Sequence, residues 1–525
     1  MTEHTAALPE QEPEPQARRS RGLIAVIASV LAVVLIAGGG FAAWQFFASG
    51  PRPAEVLPDS TFALATVDLD PSGGQKVEAI KTLRKFPSWR ERTGITPESD
   101  VVKEIFDEAL KDGPCKALDY ERDVKSWIGS RAGFGGVLLG DDKPAPVLVL
   151  QVTDADNARS GFARLAKCAN GEDDEFGWTI ADDYVVASDS TSHAEAIVAA
   201  GKKSPLSENA DFQKWTEEAG GPGIVNLYVG RKSAEVASDA FRSELGPLSG
   251  DPGASPGESP EDELAEAFED FKGAAAVLKF NDGGIDLSFA SSGAKAEKGR
   301  TVGEHVAALP KDTAAVMAMA VPEKAIEALR ESDAVTDDSP FSLRDLVGES
   351  TGLDLPDDLI TLLGQSLSIS VGGDAPADLK AIASPADVPL GVLIHGDTDK
   401  IEAVIAKAEA KAGVKLSELP ATVSSGDGKV SIATTPDYAE ALRAKGSLGE
   451  VKSFKDVVSH ADEAQAVFYV SFENAWMDGV RELAAEEKDP EAAEVADNLA
   501  VLRALGASAW NEGSTSHGLL RLALK

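Results

Sequence analysis

The chain repeats itself. "LPDSTFALATVDLDP" begins at Leu57, and "LPKDTAAVMAMAVPE" begins at Leu309, 252 residues later. Further matches follow in the same order. "VLVLQVTDADNARSGFARLAKCAN" from Val147 finds a counterpart in "GVLIHGDTDKIEAVIAKAEAKAG" from Gly391. Each reads as an apolar strand, an Asp-x-Asp turn (Asp154 and Asp156; Asp397 and Asp399) and a helix with apolar residues three and four apart. "ASDSTSHAEAIVAAG" from Ala187 matches "IATTPDYAEALRAKG" from Ile432, and "DFQKWTEEAGGPGIVNLYV" from Asp211 matches "SFKDVVSHADEAQAVFYV" from Ser453. "GAAAVLKFNDGGIDLSFAS" from Gly273 resembles "GASAWNEGSTSHGLLRLAL" from Gly506, two strands joined by a glycine-containing turn. The offset drifts to about 235, too long for a solenoid repeat of 20–50 residues. The order therefore predicts two homologous domains, at 56–293 and 305–525, joined by a linker at 294–304.

Within each copy, paired strands outnumber strict strand–helix alternation. Alternating apolar residues in Ile285, Leu287 and Phe289, and in Leu520, Leu522 and Leu524, mark strands with one buried face. This predicts an α+β fold, each domain a mostly antiparallel sheet with packed helices. A stretch rich in Gly, Pro and Ser at 246–263 reads as a flexible insertion in the first copy.

No charged side chain occurs between Arg21 and Arg52. Leu23 to Phe47 is long enough for a transmembrane helix, which needs about 20 apolar residues. A cleaved signal peptide has a core of only about 7–15, and no cysteine follows the span to carry a lipid anchor. Arg18, Arg19 and Arg21 precede it, and cations stay on the cytoplasmic side. Trp44, Phe46 and Phe47 then fall at the far interface. The expected topology is a disordered cytoplasmic tail (1–21), a single-pass helix (22–47) in the cell membrane and a proline-containing stalk (48–55). The bulk of the chain is then extracytoplasmic. Cys115 and Cys168, the two cysteines, lie on that side, where a disulfide between them would persist; the alternative is a pair of unlinked buried thiols.

The net charge of −37 argues against nucleic-acid binding, which needs a basic face. A solvated acidic shell is the plainer reading, and a surface attracting cations or basic partners the sharper one. Against that background, "QKVEAIKTLRKFPSWRER" holds Lys76, Lys81, Arg84, Lys85, Arg90 and Arg92. Val77, Ile80 and Leu83 are expected to bury one side of this helix, leaving the cations to meet anionic headgroups, wall polymers or acidic surface of the same domain.

Chemistry is sparse. The six histidines (His4, His193, His305, His395, His460, His517) form no zinc-binding spacing. His193 faces Tyr438 in the repeat, and His395 faces Gln151, so neither is kept in both copies. Ser292 and Lys295 satisfy Ser-x-x-Lys, but the Ser-Asp-Asn and Lys-Thr-Gly elements that chemistry needs are missing. "GFGGVLLG" reads as a strand with glycines permitting close backbone contact, not as a phosphate loop. "DLD" (Asp68, Asp70), "EDDE" (Glu172 to Glu175) and "DADN" lack a calcium loop's ligand alternation and read as solvated turn carboxylates. The residues name no catalytic group, metal or cofactor.

The arginine-flanked span, the "EVLPDSTFALATVDLDP" entry and the tandem copies resemble a family of uncharacterised single-pass membrane proteins of actinobacteria, whose exterior part is a domain of unknown function. The resemblance implies topology and transfers no catalytic residue. Three functions remain as expectations: a non-enzymatic binding or cell-envelope protein engaging an envelope protein or wall polymer, a carrier holding an apolar ligand between sheet and helices, or an enzyme of unfamiliar type.

Overall fold

The computed structural model describes residues 52–69, 73–87, 117–169, 177–236, 271–281, 283–292, 300–331, 351–374, 382–487 and 490–525, with isolated positions at 103, 106, 107, 115 and 376. The expected tail, span and topology arginines lie outside the described residues, as do the 246–263 insertion, Asp70, Glu172 to Glu175, Arg90 and Arg92. Among the described residues, no helix is long and apolar enough to cross a membrane.

Among the described residues, sixteen strands form one sheet in which every neighbouring pair is antiparallel. The first half of the chain supplies β1 (Thr61–Asp68), β2 (Ile128–Leu139), β3 (Lys143–Val152), β4 (Gly177–Ala181), β5 (Tyr184–Ser188), β6 (Val225–Gly230), β7 (Gly273–Asn281) and β8 (Gly284–Ser292). The second half supplies β9 (Ala315–Ala320), β10 (Ser366–Val371), β11 (Leu390–His395), β12 (Thr422–Gly426), β13 (Lys429–Ala433), β14 (Ala466–Ser471), β15 (Leu502–Glu512) and β16 (Thr515–Leu524). The order is β12-β13-β11-β10-β9-β14-β15-β16-β8-β7-β6-β1-β2-β3-β5-β4. Read outward from the β16–β8 pair, both sides run alike, with strand numbers shifted by eight. Where the sequence suggests a separate sheet for each copy, β8 and β16 pair along their lengths, from Ser292–Thr515 to Gly284–Ala523, and make the sheet continuous.

Strand alternation gives the sheet an apolar residue on each face, and helices cover both. On one face lie α1 (Pro53–Val56), α4 (Thr191–Gly201) and α5 (Ala210–Glu218), over a core of Leu64, Val147, Tyr184, Ile197 and Tyr228. On the same face of the second half lie α6 (Gly303–Ala307), α8 (Pro436–Arg443) and α9 (Lys452–Val457), over Val316, Leu393, Phe454 and Tyr469. The opposite face carries α2 (Gly73–Leu83), α3 (Ala155–Ala169), α7 (Thr398–Ala412), α10 (Trp476–Glu487) and α11 (Pro490–Ala500).

Short polar side chains set the helix starts. Asp154 accepts from the Asn157 amide, and Asp397 from the Lys400 amide, so the two Asp-x-Asp turns are N-caps. Ser190 and Thr435 cap α4 and α8 through the amides of His193 and Tyr438. Gly135 in "GFGGVLLG" sits where a Cβ would lie 2.2 Å from the Ala63 carbonyl oxygen.

Three boundaries or faces differ from expectation. The stalk predicted to 55 already folds from Pro53, because Ala54 and Val56 are buried against the first core. The linker predicted to 304 gives way at Val302, buried in the second core. In α2 the buried side is Ala79, Thr82 and Leu83, and Val77 is half exposed. The helix meets the sheet through a narrower stripe than its apolar residues suggest.

Candidate ligand cavity

A cavity of about 420 Å³ lies in the first half, between the sheet and the helices of one face. Its floor is β1, β6 and β7, through Leu64, Thr66, Asp68, Asn226, Tyr228, Ala275 and Val277. Its roof is α1 and α5, with the loop Gly221–Gly223.

The roof is held by local chemistry. Asn209 caps α5, its Oδ1 accepting from the amides of Asp211 and Phe212 at 2.9 and 3.1 Å. Trp215 then drops into the sheet against Gly273, where an added Cβ would lie 2.2 Å from the indole nitrogen. That nitrogen donates to the Lys272 carbonyl at 3.1 Å. One turn earlier, Phe212 meets Tyr228 edge-on, ring centroids 5.0 Å apart. Asn226 ties the loop to the floor: Oδ1 accepts from the Gly223 amide at 2.7 Å, and Nδ2 donates to the Gly223 carbonyl and Thr66 Oγ1. Burial pushes the Tyr228 hydroxyl up to about 12, so it stays protonated at neutral pH.

At one end the wall turns ionic. Arg131 stands opposite Asp68 across the β1–β2 ladder, and its Nε donates to Asp68 Oδ2 at 3.1 Å. The two side chains are 10% and 18% exposed. Asp68, read from sequence as a solvated turn carboxylate, is thus a strand residue in a shielded ion pair. Arg52, Glu55 and Glu217 complete the ionisable lining.

Ladder register identifies the same backbone positions in the second half. Leu64 pairs with Tyr228, and Val316 with Tyr469, which meets Phe454 edge-on at 5.3 Å just as Tyr228 meets Phe212. Counting from these anchors, Thr66, Asp68 and Asn226 correspond to Ala318, Ala320 and Val467, all within the packed second core. Arg131 corresponds to Ser366. The register also places Ala275, not Gly273, opposite Gly506's position, a two-residue shift from the alignment suggested by sequence.

Beside Ser366 the second half holds a different polar group. His305 Nδ1 lies 2.8 Å from Ser366 Oγ, and its ring stacks on His395 with centroids 3.7 Å apart. Burial, then the neighbouring His305 and Lys429, lowers His395 to about 4; burial also lowers His305. The pair is neutral at physiological pH. Sequence spacing gave no sign of this contact, because it joins a helix and a strand 90 residues apart.

The other singled-out residues are dispersed. Cys115 and Cys168 are joined as a disulfide, Cα atoms 5.4 Å apart. His193 lies 2.6 Å from Asp189 at the surface. His517 is buried, 3.6 Å from Glu218, and its Nε2 has no hydrogen-bond partner. His460, Glu463 and Glu512 place ligand atoms within 4.8 Å of one another, but all three are exposed. On α2, which also carries Lys76, Lys81 pairs with Glu78 at 2.7 Å; Arg84, exposed, and Lys85 lie in the turn that follows the helix. The cavity's polar wall was missed from sequence, although its signal was present: the second copy reads "AMAV" where the first reads "TVDL".

Fold and cavity together define an α+β protein with one antiparallel sheet between two helical layers and a hollow on one side of one half. Residues 26–407 match the model of a family described as "Protein of unknown function (DUF3352)", and the chain belongs to that family. No curated protein matches the chain.

Proposed function

We propose that this chain is a membrane-anchored extracytoplasmic binding protein, built by duplication of one unit, whose first half holds a ligand with an apolar body. The observation that carries the reading is the cavity and its contrast with the second half. Equivalent positions there are Ala318, Ala320 and Val467 in a packed core, with Ser366 in place of Arg131, so the sheet itself does not require Thr66, Asp68, Asn226 and Arg131. Pockets for small molecules combine an apolar wall with a few convergent polar groups at volumes of about 300–1,000 Å³. The anchoring follows from Leu23 to Phe47 and the arginines before it, with the bilayer as partner. Two diverged copies, one lining a hollow with polar groups and the other packing alanine and valine at three of the same positions, favour a binding role over a retained reaction centre.

The test is extraction of the full chain, purified in lipid nanodiscs, followed by mass spectrometry of bound organic molecules. Thr216→Trp, on the partly exposed roof helix, fills the hollow without touching the ladder. The wild type is expected to carry a stoichiometric small amphiphile that the variant lacks. Equal content in both would remove the binding reading. A reporter fused after Lys525 is expected to be active only outside the cytosol.

A further inference from the structure

Resting on that reading, we infer that the ligand is a single-chain amphiphile with a polar but uncharged head, seated against the Arg131–Asp68 pair. Removing two charges from water costs several kcal/mol per ion before their attraction offsets it, so such a pair needs a reason. The second half meets the same ladder positions with Ser366 and Ala320, which shows that the β-ladder is not that reason. What the pair offers a ligand is a donor and an acceptor side by side with no net charge. A hydroxyl or ester head can engage both.

A charged head fits poorly. Of the ionisable residues that line the cavity, Arg52 and Arg131 are cationic and Glu55, Asp68 and Glu217 anionic, so the site leans negative and repels a carboxylate. A cationic head would have to compete with Arg131 for Asp68, and Glu55 already accepts from the Arg52 amide at 2.9 Å. The volume sets the body. At about 420 Å³ the hollow sits near the lower end of small-molecule pockets, room for one chain against Leu64, Phe212, Tyr228, Ala275 and Val277.

The experiment uses the full chain in nanodiscs with three photoreactive twelve-carbon probes: a glycerol monoester, a carboxylate and a trimethylammonium. Labelling is read in the peptides carrying Leu64 to Asp68 and Phe212 to Tyr228, with Thr216→Trp as bilayer background. The monoester is expected to label about tenfold more than either charged probe. Replacing the pair together, Arg131→Met with Asp68→Leu, is expected to level the three. Should that variant fail to fold, Asp68→Asn serves instead and is expected to raise carboxylate labelling several-fold; unchanged labelling would overturn the inference. So would a charged probe labelling the wild type as well as the monoester, with the cavity reading left standing. If no probe exceeds background, the binding reading itself falls.

Discussion

The pair that joins the two halves of the sheet gives the sharpest energetic prediction. Asp286 on β8 stands opposite Arg521 on β16, and Arg521 Nη1 donates to Asp286 Oδ2 at 3.2 Å. The side chains are 9% and 20% exposed. At that separation and an effective dielectric of about 20, the gross attraction is about 5 kcal/mol, most of it offset by desolvation. Arg521→Met leaves the carboxylate buried, with Asn281 Nδ2 still donating to Oδ2 and Oδ1 unpaired, a cost of about 3 kcal/mol. Asp286→Leu costs about half that, because the more exposed guanidinium can turn to water. The double variant is expected within about 1 kcal/mol of wild type, since an apolar pair of similar volume replaces the ions. The coupling energy is then about 4 kcal/mol. Urea unfolding of the full chain in detergent, followed by circular dichroism, measures all four corners. Additive single effects would refute the assignment of the destabilisation to an orphaned buried charge.

Two further outcomes are expected. The Cys115–Cys168 link spans 53 residues, and in the chain-entropy model its reduction costs about 4 kcal/mol; an unchanged urea midpoint with both thiols alkylated would contradict this. His395 has its folded pKa lowered from 6.5 to about 4, so between those values the unfolded chain binds more protons and stability falls as pH falls. The loss reaches at most about 3 kcal/mol; His395→Gln, the residue found at Gln151, is expected to flatten that acid limb, and an unaltered slope would show that other groups dominate.

Local structure was readable where local chemistry sets it. The N-caps at Asp154, Ser190, Asp397 and Thr435, and the glycine turns at Gly283 and Gly513, announce themselves within a few residues. What escaped the sequence is tertiary. Nothing in "GIDLSFAS" or "LLRLALK" says that these two strands pair with each other and not with solvent or another chain, because an edge and an interior strand carry the same alternation. Val77 was misplaced because a helix's buried stripe depends on what it docks against, and here Ala79 and Thr82 fit closest to the sheet. The cavity wall was hidden for a related reason. Asp68 at the end of a strand looks like any turn carboxylate until Arg131 is placed opposite it.

One consequence concerns synthesis. β8 is complete once Ser292 has been made, yet the strand that covers its open edge ends at Leu524, 232 residues later (524 − 292). At about 5–20 residues per second, a growing polypeptide leaves that edge bare for roughly 10 to 50 seconds. During that interval it is a template for misassociation with other nascent chains, and Phe289 lies along it. A stop codon ahead of Thr515 would leave the edge bare permanently.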